Sequence, residues 1–290
     1  MSKTKKNDSR TSSSGETPLP RPRPPAWRSR IWLIATFFAL TVGGAYLVTT
    51  MTTSSGVPTF GFKVANKYPH DSSAFTEGLL YHGGQIYEST GLEGESTLRK
   101  FDLAKGQWTI EKLDPKLFGE GLTLWRDRLI HLTYRSGVAQ CYDLDLKPLE
   151  TRFSYEGEGW GLTHDGRHLI MSNGTSELQF RDPETFQLDH RLRVTLGGRS
   201  FGRLNELEYV DGRLYANVWH QDYLVEIDPE TGAIRSRIDL SGVLSAADRP
   251  RHPEAVLNGI AYNSDTGRLI VTGKYWPYLF EIEIVPRNQK

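Results

Sequence analysis

The sequence predicts an all-β domain, and three observations predict it. Helix-period apolar patterning is scarce beyond residue 60, short alternating apolar runs are cut by Gly, Asp and Asn turns, and one hairpin phrase recurs five times. The copies read TEGLLYHGGQIYESTG from Thr76, GEGLTLWRDRLIHLTY from Gly119, GWGLTHDGRHLIMSNG from Gly159, LNELEYVDGRLYANVW from Leu204 and LNGIAYNSDTGRLIVTGK from Leu257. Each is two strands joined by a tight turn such as HGG, HDG or VDG, built from residues that tolerate turn backbone. FDLAKGQWTI, YDLDLKPLETRF, FRDPETFQLDHRL and VEIDPETGAIRSRI follow the first four copies as a second strand-turn-strand unit, with DPETF and DPETG as turn signals. Four strands in a period of about 40–50 residues is the pattern of a propeller blade. The predicted architecture is a five-bladed β-propeller over residues 62–290. The last copy ends in YLFEIEIV without a complete follower, so FKVANKYPH, residues 62–70, is expected to supply the missing strand and close the ring. A double sandwich or barrel, with the hairpins stacked in pairs, is the competing all-β arrangement.

Ahead of the propeller the composition changes twice. Residues 1–30 carry eight Lys or Arg against Asp8 and Glu16 and are rich in Ser and Pro, so they cannot bury enough apolar surface to offset ordering and read as a disordered basic tail. Residues 31–51, IWLIATFFALTVGGAYLVTTM, hold no charge and are long enough to cross a hydrocarbon core as one transmembrane helix. The long basic region, the length of the apolar run and the weak cleavage site at Gly43-Gly44-Ala45 point to an uncleaved signal anchor, with secretion after signal cleavage as the alternative. Basic residues cluster before the span, which places the domain on the non-cytoplasmic side, periplasmic in a Gram-negative cell, with residues 52–61 as linker. Beyond residue 30 there remain 27 basic against 33 acidic residues, a balance unsuited to tracking phosphates, so nucleic acid is not an expected partner. The one cysteine, Cys141, can form no internal disulfide and is expected to pack in a strand.

The repeats differ where a purely structural repeat would stay small or apolar. Just ahead of the shared Gly-Leu-like pair stand Glu77, Glu120, Trp160, Asn205 and Asn258. At the equivalent position after the second strands stand Tyr134, Trp219 and Lys274, with Gly91 and Gly174 in the first and third copies. Two glycines opposite two aromatics and a lysine suggest a cavity open on one side. A carboxylate and a lysine buried apart would cost several kcal/mol, so their presence at one rim indicates pairing or use. A non-catalytic propeller that binds peptides or envelope components fits the same rim. A calcium-dependent sugar or lactone hydrolase could recruit Glu77, Glu120, Asn205 and Asn258, but Lys274 would repel the ion. His164 and His168 in HDGRH flank a turn without a third ligand in register, and no metal is expected there.

The ordered series YPHDSSAFTEGLLY, YESTG with GESTLR, FGEGLT, GWGLTHDG, LNELEY with ANVW, and LNGIAY with VTGKYWP resembles the glutamine cyclotransferases of plant and bacterial type. The resemblance spans residues 62 to 284 and implies a five-bladed propeller that uses no zinc or other cofactor. It implies a substrate too, peptides or proteins with N-terminal glutamine, converted to pyroglutamate with release of ammonia. Carried over by motif, the catalytic residues are Glu120 of FGEGL, Asn205 of LNELEY and Lys274 of TGKYW. Phe75, Glu77, Tyr134, Trp160, Trp219 and Asn258 are read as substrate-binding. The chain departs from the family pattern at Tyr134, where plant enzymes often have tryptophan, at Glu77, where glutamine is common, and at Glu93, where a tyrosine would stand.

Overall fold

The structure is a computed structural model and describes residues 56–287. The expected tail and apolar span, residues 1–51, lie outside the described residues. Within them every regular element is a strand, and no helix is long and apolar enough to cross a membrane.

In chain order, β1 (Thr59–Pro69) precedes a first quartet of β2 (Thr76–His82), β3 (Gln85–Thr90), β4 (Thr97–Asp102) and β5 (Gln107–Lys112). A second comprises β6 (Gly119–Trp125), β7 (Arg128–Thr133), β8 (Val138–Tyr142) and β9 (Pro148–Ser154). The third is β10 (Leu162–His164), β11 (Leu169–Met171), β12 (Glu177–Arg181) and β13 (Leu188–Arg193). A small ribbon, β14 (Thr195–Leu196) with β15 (Arg199–Ser200), leads to β16 (Leu204–Val210), β17 (Arg213–Val218), β18 (Tyr223–Ile227) and β19 (Ile234–Asp239). Last come β20 (Leu257–Asn263), β21 (Arg268–Gly273) and β22 (Tyr278–Pro286). The first three quartets are separate antiparallel sheets in sequence order, whereas β16 to β22 join one eight-stranded sheet through β1.

β1 is what makes the last hairpin a quartet. It pairs antiparallel with β22 from Phe60↔Pro286 to Pro69↔Tyr278, and it touches β19 in parallel only at Thr59↔Arg237 and Phe60↔Ile238. That parallel contact starts the strand at Thr59, inside the stretch read from sequence as linker.

Alternation places one apolar face of each sheet against the next. Leu80, Tyr87 and Leu98 meet Leu122, Leu129 and Tyr142 between the first two quartets. Further round, Ile130 and Cys141 meet Leu162 and Leu169, and Ile170 and Phe180 meet Leu207 and Val225. Leu224 and Ile238 meet Ile260 and Leu269, and Ala261 and Ile270 return to Leu79 and Ile86. The first strands follow the same cycle, β2 beside β6, β6 beside β10, β10 beside β16, β16 beside β20, and β20 beside β2. The quartets therefore stack in a cycle rather than in pairs. Cys141 is fully buried in β8, as its alternating surroundings predict.

The first strands approach so closely that side chains are excluded. A Cβ on Gly78 would lie 2.7 Å from Leu122 N, one on Gly121 2.4 Å from Trp160 O, and one on Gly161 2.2 Å from Asn205 O. The fourth quartet breaks the pattern with Glu206. Its Oε2 accepts the Ile260 amide at 2.7 Å and its Oε1 the Leu79 amide at 3.3 Å, so a carboxyl ties β16 to β20 and β2. Sequence reading missed Glu206, although glycine at the same place in the other four repeats marked it.

Gly121→Ala should destabilise the fold by about 1–3 kcal/mol, the range for forcing atoms into a packed interior. Gly61→Ala, with open space around it and ordinary backbone, should change stability by no more than about 0.5 kcal/mol. Denaturant unfolding of the two variants checks the contrast.

Candidate active site

In four of the five first strands the ladder slips where the candidate side chains stand. Register shifts fall between Thr76 and Gly78, Gly119 and Leu122, Leu204 and Leu207, and Leu257 and Ile260. A bulge bends its strand and re-aims a side chain. The bulged residues include Glu77, Glu120, Asn205 and Asn258, and Trp160 lies just before the three-residue strand β10. Tyr134, Trp219 and Lys274 each follow directly on a second strand, and their amides bond to Phe118 O, Arg203 O and Val256 O at 2.9–3.0 Å.

These elements enclose a cavity of about 390 Å³. Glu77, Glu120, Asn205 and Lys274 line it, with Phe75, Tyr134, Trp160 and Trp219 as aromatic walls. Glu120 and Lys274 thus face one compartment. Asn258 is the exception among the predicted residues. It is fully buried and lies behind the cavity, its Nδ2 donating to Thr76 O at 2.9 Å and to Glu77 Oε2 at 3.1 Å, because its bulge aims it at the neighbouring strand.

The glycines do not leave one side open. A Cβ on Gly91 would meet the Phe118 ring at 2.3 Å, and one on Gly174 the Trp160 ring at 2.6 Å, so each glycine makes room for an aromatic of the wall. Phe118, Arg135, Glu158 and Glu254 also line the cavity and were missed from sequence. Phe118 had a signal: it stands two residues before Glu120, as Phe75 does before Glu77.

The ionisable groups form a graded set. Lys274 Nζ donates to Glu77 Oε1 at 2.6 Å, both side chains being almost wholly buried, and lies 4.1 Å from the centre of the Phe75 ring. Burial raises the Glu77 carboxyl to about 6, and the Lys274 charge opposes that rise. Glu120 is also buried, and among the described residues its carboxyl has no hydrogen-bond partner. Burial first, then the negative charge of Glu77, hold it well above the usual carboxylate range despite Lys274. Asn205 Oδ1 is buried without a partner, and the amide makes no side-chain bond in this structure, so it is free to present oxygen or NH2 to a ligand. Trp160 and Trp219 meet edge to face at 6.0 Å, and Glu158 accepts the Trp160 Nε1 proton at 3.2 Å.

The turn that carries Lys274 is clamped from the segment between β1 and β2. His70 N bonds to Pro277 O at 2.9 Å, His70 Nδ1 to Trp276 O at 2.6 Å, and Tyr275 N to Ala74 O at 2.7 Å. His70 Nε2 in turn meets Glu88 Oε1 at 2.8 Å, and Thr76 Oγ1 donates to the same oxygen at 2.6 Å. A larger hollow of about 630 Å³ lies at the opposite, hairpin-turn end between the third and fourth quartets. Several of its charges satisfy one another, Arg235 with Asp228 and Arg213 with Glu226.

A profile of the family described as glutamine cyclotransferase matches residues 37–284. The chain belongs to the glutamine cyclotransferase family. It is similar to the glutaminyl-peptide cyclotransferase of Arabidopsis thaliana, 42% identical over 235 residues, which is 79% of this chain and 72% of the relative. It is similar also to the crystal structure of Myxococcus xanthus glutaminyl cyclase, with a TM-score of 0.74 and 38% identity over 80% of this chain and 100% of that one. Family membership accords with the expectation drawn from the ordered motifs, and the cavity described above lies within the matched span.

Lys274→Met strands the Glu77 carboxylate in a buried site, and breaking one side of such a pair costs about 3–5 kcal/mol. Denaturant unfolding at neutral pH should show that loss. The loss should shrink as the pH falls and Glu77 protonates, and Lys274→Met with Glu77→Gln should recover most of it.

Proposed function

We propose that this chain is a glutaminyl-peptide cyclotransferase, which closes an N-terminal glutamine to pyroglutamate and releases ammonia, with Glu120 as the proton shuttle. The observation that carries the reading is the buried Glu120 carboxyl, without a protein partner, in a cavity walled by Trp160 and Trp219. The ring forms when the neutral α-amine attacks the side-chain carbonyl carbon. The new C–N bond gives a tetrahedral intermediate, the amine passes one proton to Glu120, and Glu120 returns it to the departing nitrogen as the old C–N bond breaks. A shuttle must accept and donate in one cycle, which suits a carboxyl whose proton affinity burial and the neighbouring Glu77 charge hold well above that of an ordinary carboxylate.

The other groups have matching tasks. The Lys274 N–H bonds not spent on Glu77, and the amide of Asn205, can stabilise the oxyanion, an interaction whose removal typically costs about 3–4 kcal/mol of barrier. Trp160, Trp219 and Tyr134 pack against the substrate methylenes and hold the side chain folded back toward the amine. Glu77 holds Lys274 and keeps the Glu120 pKa high, and Asn258 supports Glu77.

The finer architecture belongs to the same proposal. Five quartets, five inter-sheet clusters and a cycle of first strands support a five-bladed propeller closed by β1. The uncharged run over residues 31–51 and the basic residues before it support a membrane anchor with the catalytic domain on the non-cytoplasmic side.

Full-length protein in detergent, incubated with a peptide that begins with glutamine, should produce a mass loss of one ammonia. A folded protein that binds the peptide unchanged would favour a non-catalytic receptor instead. Glu120→Gln should lower kcat at least a hundredfold without loss of thermal stability, the range for removing a general acid–base group. The pH profile carries a further expectation. Glu120 must ionise to act as base, so the acid limb of kcat/KM lies above the ordinary carboxylate range. Glu77→Gln removes a negative charge that raises the Glu120 pKa, so the limb should move to lower pH.

A further inference from the structure

Next to the reaction cavity lies a second hollow of about 420 Å³, lined by Glu93, Lys116, Phe118, Tyr134, Arg135 and Ser136. Phe118, Tyr134 and Arg135 line both, so the two are continuous across one aromatic ridge. Resting on the cyclase reading of the first cavity, we propose that the second is a subsite for the residue or two that follow the glutamine, and that it favours an acidic side chain there.

The chemistry of the substrate requires an exit. Cyclisation holds the α-amine and the side-chain amide inside, so the peptide beyond the α-carbonyl must leave by the mouth. Towards Trp160 and Trp219 the rim bears Glu158 and Glu254. Over Tyr134 the chain meets Arg135, whose guanidinium lies 4.5 Å from the centre of the Tyr134 ring, and then Lys116. Two of the residues lining this side are cations and one, Glu93, is an acid. Arg135 is shared with Glu158 at 2.8 Å, whereas Lys116 and Glu93 make no ion pair among the described residues. Lys116 is the cation free for a ligand.

The hollow is built on constrained backbone. Glu93 stands on a turn whose first residue, Leu92, has φ of 86°, a conformation that costs a leucine energy. Ser96 N and Ser96 Oγ both donate to Leu92 O, at 2.9 and 2.7 Å, and Gly94 N donates to Pro115 O at 2.9 Å. The turn that carries Glu93 is thereby fastened to the one that carries Lys116, itself held by Lys116 N to Asp114 Oδ1 at 3.0 Å. Gly119 N donates to Ser96 Oγ at 3.1 Å, so the same turn is joined to the strand that bears Glu120.

The test compares kcat/KM of the full-length protein in detergent for Gln-Glu-Ala-amide, Gln-Lys-Ala-amide and glutaminamide, which has no following residue. Wild type should favour the glutamate peptide over the lysine peptide by roughly two- to fivefold, the scale of one exposed charge pair, and less so as salt is added. Lys116→Glu should invert the ratio, Glu93→Gln should enlarge it, and neither should alter glutaminamide turnover. A glutamate-to-lysine ratio that is the same in wild type and both variants, with glutaminamide still consumed, would overturn the subsite. Failure of the wild type to consume any of the three would overturn the cyclase reading, and the subsite with it.

Discussion

The close approach of the first strands is the constraint on which the rest of the molecule depends. Gly78, Gly121 and Gly161 let backbone meet backbone, and Glu206 ties the remaining gap by accepting amides from β2 and β20. With these strands packed so tightly, only the ends of the strands have room for functional side chains. The bulges at those ends turn Glu77, Glu120 and Asn205 inward from three different quartets. Residues more than a hundred positions apart in the chain meet there because the sheets that carry them pack in a cycle.

The same crowding sets the electrostatics. Glu77 and Glu120 are buried together with one lysine, so two acids share a single positive charge. Lys274 bonds directly to Glu77, which is therefore the better stabilised anion, and Glu120 bears the larger upward shift. Two chemically identical side chains are given different proton affinities by one salt bridge, the general way in which a fold separates the pKa values of neighbouring acids. Asn258 and the His70 clamp extend this arrangement outward, one by bonding Glu77 from behind, the other by holding the 274–277 turn against the segment that follows β1. The outer strand that completes the last quartet thus also supports the lysine.

Aromatic residues form the walls of the site. Trp160 and Phe118 wall the cavity, and each lies over a glycine in a place where any side chain would collide with the ring. From sequence those glycines read as open space, since a missing side chain and a space filled by a neighbour look alike in one dimension. Phe118 shows the converse. Its position two residues before Glu120 repeats that of Phe75 before Glu77, yet the repeat alone does not say that the ring leans across Gly91 into the wall.

The strands, the five hairpin repeats and the donation of a strand from residues near 62–70 were legible in the sequence, because period-two alternation and turn residues are local properties that survive without a structure, and the ordered motifs carried the resemblance to the family. The sequence also marked eight of the twelve residues that line the cavity, since unlike residues at one place in a repeat are visible on alignment. Only the tertiary structure decided that Lys274 bonds to Glu77 rather than Glu120, that Asn258 lies behind the cavity, and that Glu206 ties the first strands together. Those outcomes depend on ångström-scale distances between quartets, and such distances follow from how bulged strands pack against their neighbours rather than from the order of residues within any one of them.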